Sequence, residues 1–213
     1  MKFDKNMLLL YAVTDQAWVG KQTLLEQIED ALKGGATMVQ LREKKMEEDA
    51  FVEEAIRVRE LCHQYHVPLI INDNVEVALN SGADGVHVGV EDITVAEIRR
   101  QVPSDFIIGA TCKTVEQAKV AEADGADYMG VGAVFPSSTK TNAVRITNDQ
   151  LRVITSSVSI PAVAIGGICC DNVGEIKGSH VSGVAVVSAI FGAEDIEKET
   201  ALLKSLVQSV IEV

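Results

Sequence analysis

Short apolar runs of strand length alternate with longer amphipathic stretches along the chain. A continuous apolar run of about four to eight residues is typical of a strand that is buried on both faces of a parallel sheet. Eight such runs predict strands at residues 8–13, 37–41, 68–72, 85–88, 106–110, 128–132, 162–165 and 183–187.

Apolar side chains between these runs recur every three or four residues, which is typical of a helix with one buried face. The clearest sets are Phe51, Ala55, Val58 and Cys62, and, for the last helix, Ile196, Thr200, Leu203 and Val207. A short repeat also precedes three of the predicted strands, at residues 35–37, 82–84 and 125–127. Each copy begins with Gly-Ala, and a glycine can end a helix in the left-handed conformation before the chain enters a strand.

Strands that alternate with helices, with no linker between them, predict a single α/β domain over residues 1–213, folded as a (β/α)8 TIM barrel. A doubly wound open sheet is the alternative, because apolar runs alone do not show that a sheet closes. No Gly-x-Gly-x-x-Gly follows the first predicted strand, where the sequence YAVTD (residues 11–15) stands instead. A dinucleotide-binding sheet is therefore disfavoured.

Composition and charge narrow the range of partners. Hydrophobic residues make up 47% of the chain and aromatic residues only 4%, which predicts an aliphatic core. The 31 acidic residues outnumber the 19 basic ones, and the net charge of −12 argues against nucleic acid, whose phosphates must be neutralised by Lys and Arg. Small phosphorylated substrates remain possible, since a few cations can focus the field within a cleft. The oligomeric state is left open.

Several features of the sequence bear on location. No apolar run approaches the ~20 residues that a membrane span needs. Residues 7–13 follow two lysines and faintly resemble a signal peptide, but the run is short and fits a first barrel strand better. The four cysteines, Cys62, Cys112, Cys169 and Cys170, lack Cys-x-x-Cys spacing and are predicted to be reduced, buried thiols. These features favour a cytoplasmic protein without a membrane partner.

The end of the second predicted strand carries an amide and two cations. Strand side chains alternate between faces, so Gln40, Arg42 and Lys44 are predicted to share one face. Such a set can bind a polyanion such as pyrophosphate. A solvated strand end without a role is the alternative.

Two carboxylates follow the next two predicted strands. In a barrel the carboxyl ends of all strands meet around one mouth, which would bring Asp73 and Asp92 near the cations. Short carboxylates are suited to hold Mg²⁺ together with waters and phosphate oxygens. The alternative is that each aspartate caps the helix that follows it.

Later loops offer further anion-binding groups. Ser137, Thr139 and Lys140 could hold a second anion, or could form an ordinary polar loop. Glycines at 166 and 167 would let backbone N–H groups approach a phosphate, or form a tight turn. His87 lies within a strand and is predicted to support the site from the core rather than to act as a base.

Eight stretches in this order make the chain similar to the thiamine phosphate synthase family. They are LYAVTD (10–15), VQLREK (39–44), IND (71–73), ADGVH (83–87), GADY (125–128), FPSSTK (135–140), AIGGI (164–168) and VVSAI (186–190). The resemblance implies an enzyme that joins hydroxymethylpyrimidine pyrophosphate to a thiazole phosphate and releases pyrophosphate with the help of Mg²⁺.

The resemblance also implies roles for individual residues. The pyrimidine pyrophosphate would be held by Gln40, Arg42, Lys44, Asn72, Thr111 and Lys140, of which Arg42, Lys44 and Lys140 would stabilise the leaving group. The metal would be held by Asp73 and Asp92. The thiazole phosphate would be held by Ser137, Thr139, Gly167 and the backbone of Val187 and Ser188.

The chain departs from the family pattern at several positions. Val90 stands in place of Gln, Ala133 in place of Pro, Thr111 in place of Ser, and Lys113 in place of His. The sequence leaves two alternative functions: a thiazole tautomerase on the same barrel, which has a His where Ala133 stands, and a non-catalytic sensor of phosphorylated ligands. The acid pair argues against the sensor, which would not need a metal site.

Overall fold

The structure is a computed structural model that describes residues 2–20, 22–136 and 144–211. Eight parallel strands pair in chain order, and β8 pairs with β1 to close the barrel. The strands are β1 (Leu10–Val13), β2 (Met38–Leu41), β3 (Leu69–Asn72), β4 (Gly85–Val88), β5 (Ile107–Cys112), β6 (Tyr128–Gly132), β7 (Ala162–Ile165) and β8 (Gly183–Val186). The predicted (β/α)8 barrel is confirmed, and the open-sheet alternative is wrong.

After β7 the chain forms only a 3₁₀ turn (Val173–Ile176), whereas α-helices follow the other seven strands, with two after β8. These helices are α1 (Leu24–Lys33), α2 (Glu48–Gln64), α3 (Val75–Ser81), α4 (Val95–Arg99), α5 (Val115–Ala123), α6 (Asn148–Thr155), α7 (Ser188–Phe191) and α8 (Ile196–Ile211). Helices α1, α4 and α6 each begin with a capping box, in which a Thr at the N-cap and a Glu or Gln three residues later satisfy each other's backbone N–H groups. Within the described residues, no helix has the length and apolar character needed to cross a membrane.

Most strand bounds agree with the sequence within two residues. The first strand starts at Leu10 rather than at residue 8, because Lys5–Leu8 forms a 3₁₀ turn that leads into the barrel. The fifth strand continues to Cys112, beyond the predicted end at residue 110.

The barrel has two apolar cores, and one of them differs from the prediction. Between the strands and helices the core is mostly aliphatic, as the composition predicts. Inside the barrel, however, Tyr11 and Tyr128 are both almost completely buried among aliphatic side chains. Phe3, which precedes the first strand, stacks on Tyr128 with ring centroids 5.9 Å apart.

The Gly-Ala repeat joins helices to strands at the end of the barrel where the strands begin. Gly35, Gly82 and Gly125 all have positive φ, as predicted. The third residue of each repeat accepts a hydrogen bond near the start of the preceding strand. These bonds run from the Leu10 N–H to Thr37 Oγ1 (2.9 Å), from the Leu69 N–H to Asp84 Oδ2 (2.9 Å) and from the Ile108 N–H to Asp127 Oδ2 (2.8 Å). Each repeat therefore also ties neighbouring strands together.

The prediction about the cysteines is wrong in part. All four are free, and Cys62 and Cys112 are buried. Cys169 and Cys170, in contrast, are only half-buried, because they lie in the loop after β7 rather than in a core. The Cys170 thiol lies 3.2 Å from Glu199 Oε1, and burial together with this carboxylate raises its pKa to about 12.

Replacing Gly109 by alanine should lower the free energy of unfolding by about 1–3 kcal/mol, the usual range for overpacking a core. A Cβ atom at this position would overlap the Tyr128 ring and the His87 imidazole, which flank it in register on β6 and β4. Urea unfolding measures the effect. The matched control is Gly174→Ala, where no atom lies within 4 Å of the added carbon and the change should be small. Equal stabilities of the two variants would contradict the prediction.

Candidate active site at the carboxyl ends of the strands

Arg42 is held at the barrel mouth by the loop that follows β1. Its Nη1 lies 2.7 Å from Asp15 Oδ2, and its backbone N–H donates to Thr14 Oγ1 over 3.0 Å. The other oxygen of Asp15 accepts from the Ala17 N–H, so this carboxylate is itself fixed. The guanidinium is therefore oriented in advance, and its single side-chain contact among the described residues leaves further N–H donors for an anion.

Lys44 lies beside the predicted acid pair. Its Nζ is 3.3 Å from Asp73 Oδ2, and the Asp73 carboxyl is within hydrogen-bonding reach of Asp92. Asp73 has a φ of 62°, a left-handed conformation that turns the chain directly after β3. Residues from three separate strand ends thus come together at one point.

The helix-cap alternative for these carboxylates is wrong. Asn74 caps α3 by accepting from the Val77 N–H, and Thr94 caps α4. Asp92 instead accepts from the Gly89 N–H over 2.7 Å within its own loop. Both aspartates are consequently free of a capping role.

The electrostatics of the acid pair fit a divalent cation. Burial, followed by the negative charge of Asp92, raises the pKa of the Asp73 carboxyl above its usual value, although Lys44 opposes the shift. Among the described residues, the charge of Lys44 thus offsets only part of the cost of burying Asp73 beside Asp92. Within the described part of the chain, no third His, Cys, Asp or Glu completes a metal cluster. Such a site suits Mg²⁺, which retains waters and takes phosphate oxygens as further ligands.

Gln40, Arg42 and Lys44 all lie near the site. The alternation of side chains along a strand, however, does not explain the positions of all three. The strand ends at Leu41, so only Gln40 follows the strand pattern, and its side chain points into the barrel. Arg42 and Lys44 belong to the following loop, where contacts with Asp15 and Asp73 orient them instead. The prediction of a shared strand face is wrong for these two residues, although both lie at the mouth.

His87 does not have the properties of a general base at neutral pH. It is buried, and burial lowers its pKa to about 4. Both ring nitrogens are also engaged, Nδ1 with the Tyr128 hydroxyl at 3.1 Å and Nε2 with Thr111 Oγ1 at 3.0 Å. Its position below the site agrees with the supporting role expected from the sequence.

The loop after β7 lies against the loop after β6. Gly166 and Gly167 have φ values of 102° and 64°, and the Gly166 carbonyl accepts from the Phe135 N–H. A Cβ atom at Gly167 would meet the Pro136 carbonyl, so this glycine is needed for loop packing. Asn172 braces the loop by donating to the Gly167 carbonyl over 2.8 Å.

The remaining predicted residues have the following positions. Asn72 is the last residue of β3, and Thr111 lies near the end of β5. Val187 lies between β8 and α7, and Ser188 is the first residue of α7. All four are half-buried at the carboxyl ends of their strands. The predicted residues Ser137, Thr139 and Lys140 lie outside the described residues.

Sequence reasoning missed the groups that support the site. Asp15 and Thr14 orient Arg42, while Tyr11 and Tyr128 connect Gln40 to His87 inside the barrel. The two tyrosines themselves could have indicated this network. An inward-facing tyrosine in a barrel strand needs a hydrogen-bond partner for its hydroxyl.

A closed parallel barrel with cations and a carboxylate pair at the strand ends is typical of an α/β-barrel enzyme for phosphorylated small molecules. Comparison with known proteins specifies the family. The sequence profile described as thiamine monophosphate synthase matches residues 10–190.

Individual relatives agree with the profile. A thiamine-phosphate synthase of Alkaliphilus oremlandii is 45% identical over 93% of this chain and 95% of its own length. That of Ruminiclostridium cellulolyticum is 45% identical over 91% and 92%. The solved thiamine phosphate pyrophosphorylase from Pyrococcus furiosus superposes with a TM-score of 0.89 at 40% identity, covering 97% of this chain and 98% of that one.

The chain belongs to the thiamine monophosphate synthase family, whose members are transferases of thiamine phosphate synthesis. The resemblance found in the sequence is thus confirmed.

Proposed function

We propose that this enzyme condenses hydroxymethylpyrimidine pyrophosphate with hydroxyethylthiazole phosphate to give thiamine phosphate and pyrophosphate. The observation that carries the proposal is the cluster of Arg42, Lys44 and the Asp73–Asp92 pair at one mouth. This cluster combines a fixed guanidinium, an ammonium and a cation site, as a departing pyrophosphate requires.

The reaction forms one bond and breaks another. The lone pair of the thiazole nitrogen forms a bond to the methylene carbon of the pyrimidine, and the carbon–oxygen bond breaks with its electron pair leaving on pyrophosphate. No proton has to be removed from the nucleophile, so the reaction does not require a general base. The buried, neutral His87 agrees with such a reaction.

The proposed reaction needs two anion-binding groups of residues, one for each phosphorylated substrate. Arg42 and Lys44 bind the pyrophosphate and stabilise the charge that grows as it departs in a dissociative substitution. Asp73 and Asp92 would hold Mg²⁺, which neutralises pyrophosphate oxygens when it is bound. Gly167, with the backbone at Val187 and Ser188, would bind the thiazole phosphate, and Ser137, Thr139 and Lys140 would complete the two anion sites.

An assay of the purified chain tests the proposal. Incubation with both substrates and Mg²⁺ should yield thiamine phosphate and pyrophosphate in equal amounts, and omission of either substrate or addition of EDTA should stop it. Isomerisation of a thiazole phosphate without the pyrimidine substrate would favour the tautomerase. Binding of both ligands without turnover would favour the sensor.

A further inference from the structure

A chain of hydrogen bonds crosses the interior of the barrel beneath the mouth. It joins five side chains from five different strands. The bonds run from Gln40 Nε2 to the Tyr11 hydroxyl (2.7 Å), from there to the Tyr128 hydroxyl (2.9 Å), then to His87 Nδ1 (3.1 Å), and from His87 Nε2 to Thr111 Oγ1 (3.0 Å). The family resemblance assigns both ends of this network, Gln40 and Thr111, to the pyrimidine site of the reaction proposed above.

The donor and acceptor roles in each hydrogen bond of this network are determined by the bond before it. The Gln40 amide nitrogen can only donate, so the Tyr11 hydroxyl accepts from it and donates its own hydrogen bond to the Tyr128 hydroxyl. The reverse assignment would leave the buried Tyr11 proton without an acceptor among the described residues, which is unfavourable for a hydroxyl removed from water.

The bonds on either side of the His87 imidazole have fixed directions as well. Tyr128 donates to His87 Nδ1, and the neutral ring then carries its proton on Nε2 and donates to Thr111. Because the Thr111 oxygen accepts this bond, its own hydroxyl proton is not used within the network.

Two glycines make room for the chain. Gly109 lies in register between His87 and Tyr128, and a Cβ atom there would overlap both side chains. Gly130 lies beside the imidazole, where a Cβ atom would come within 3.2 Å of His87 Cε1. The barrel interior is therefore shaped around these polar groups, at a depth where aliphatic side chains would otherwise fill the space.

We propose that Tyr11, Tyr128 and His87 are positioning residues that set opposite hydrogen-bonding polarity at the two ends of the pyrimidine site. The hydrogen-bond network uses one Gln40 N–H. This bond fixes the amide group and leaves its carbonyl oxygen to accept from an amino group on the substrate ring. At the other end of the network, the Thr111 hydroxyl accepts from His87 and is left to donate to an acceptor on the substrate. This inference rests on the proposed function, because it assigns the ligand as the aminopyrimidine pyrophosphate.

Replacing Tyr128 by phenylalanine interrupts the chain at its centre while keeping the ring that stacks on Phe3. The KM for the pyrimidine pyrophosphate should rise by roughly tenfold, the effect of losing one well-oriented hydrogen bond, whereas the KM for the thiazole phosphate should change less than about twofold. The matched control is Tyr65→Phe, which removes a hydroxyl that contacts Glu29 away from the barrel interior. An equal rise in both KM values, or no rise in either, would overturn the inference.

A substrate-free measurement provides an independent check on the wild-type protein. The ¹⁵N shifts of His87 should show a neutral ring protonated on Nε2 at pH 7, and in Tyr128→Phe the population of the two tautomers should shift. A wild-type ring protonated on Nδ1 would reverse the direction of the chain and overturn the inference. Failure of the wild-type protein to form thiamine phosphate would instead refute the proposed function, which the two tyrosine variants do not test.

Discussion

Replacing Arg42 by alanine should lower kcat by on the order of 10²-fold or more in the reaction proposed here. The guanidinium is positioned by Asp15 before any substrate binds, so its charge meets the departing pyrophosphate without reorganisation. Steady-state kinetics with both substrates measure the loss. The fold should survive, because Arg42 lies at the mouth and Asp15 still accepts from the Ala17 N–H.

The matched control for this experiment is Lys33→Ala. It removes the same charge from an exposed side chain of α1, whose ion pairs with Glu29 and Asp30 lie on the surface and contribute little. Its kcat should remain close to that of the parent. A folded Arg42→Ala variant with a near-normal kcat would contradict the leaving-group role, and circular dichroism confirms that the variant is folded.

Replacing Asp73 by asparagine should weaken Mg²⁺ binding and lower activity at limiting Mg²⁺, with partial recovery in excess metal. A neutral amide is a poor substitute for a carboxylate at a hard divalent cation. Asparagine tolerates the left-handed backbone of this position as well as aspartate does, so the turn after β3 should be retained. Activity measured as a function of Mg²⁺ concentration gives the result.

Without Mg²⁺, the Asp73→Asn variant should be at least as stable as the parent protein at neutral pH. The raised pKa of Asp73 means that the folded chain holds a proton there more tightly than the unfolded chain. Stability contributed by this group is therefore lost as pH rises through that pKa, and the ionised pair opposes folding at neutral pH. The variant removes both the buried charge and its repulsion by Asp92, so its Tm in EDTA should not fall.

The control for the metal experiment is Asp105→Asn, which neutralises an exposed carboxylate in the loop before β5. Its Mg²⁺ dependence should match that of the parent. If Asp73→Asn also showed an unchanged Mg²⁺ dependence, or a lower metal-free Tm, the pair would be part of the loop structure and not a metal site.

The sequence by itself determined the order and type of the elements. Strands buried on both faces need nearly continuous apolar runs, and those runs located all eight strands of the barrel. The Gly-Ala repeat likewise identified three positions of positive φ, because only glycine adopts that conformation at little cost. Since parallel strands in a barrel bring their carboxyl ends together, the same runs also indicated where the polar residues would meet.

Only the tertiary structure decided how those polar residues are oriented. Arg42 and Asp15 are 27 residues apart, and Tyr11 and Tyr128 are 117 apart, so no local pattern records that they touch. Strand alternation could not place Arg42 or Lys44, because the strand ends before them and contacts from neighbouring loops take over. Hydrogen bonds and ion pairs act over about 3–4 Å, and such distances are set only once the barrel has closed.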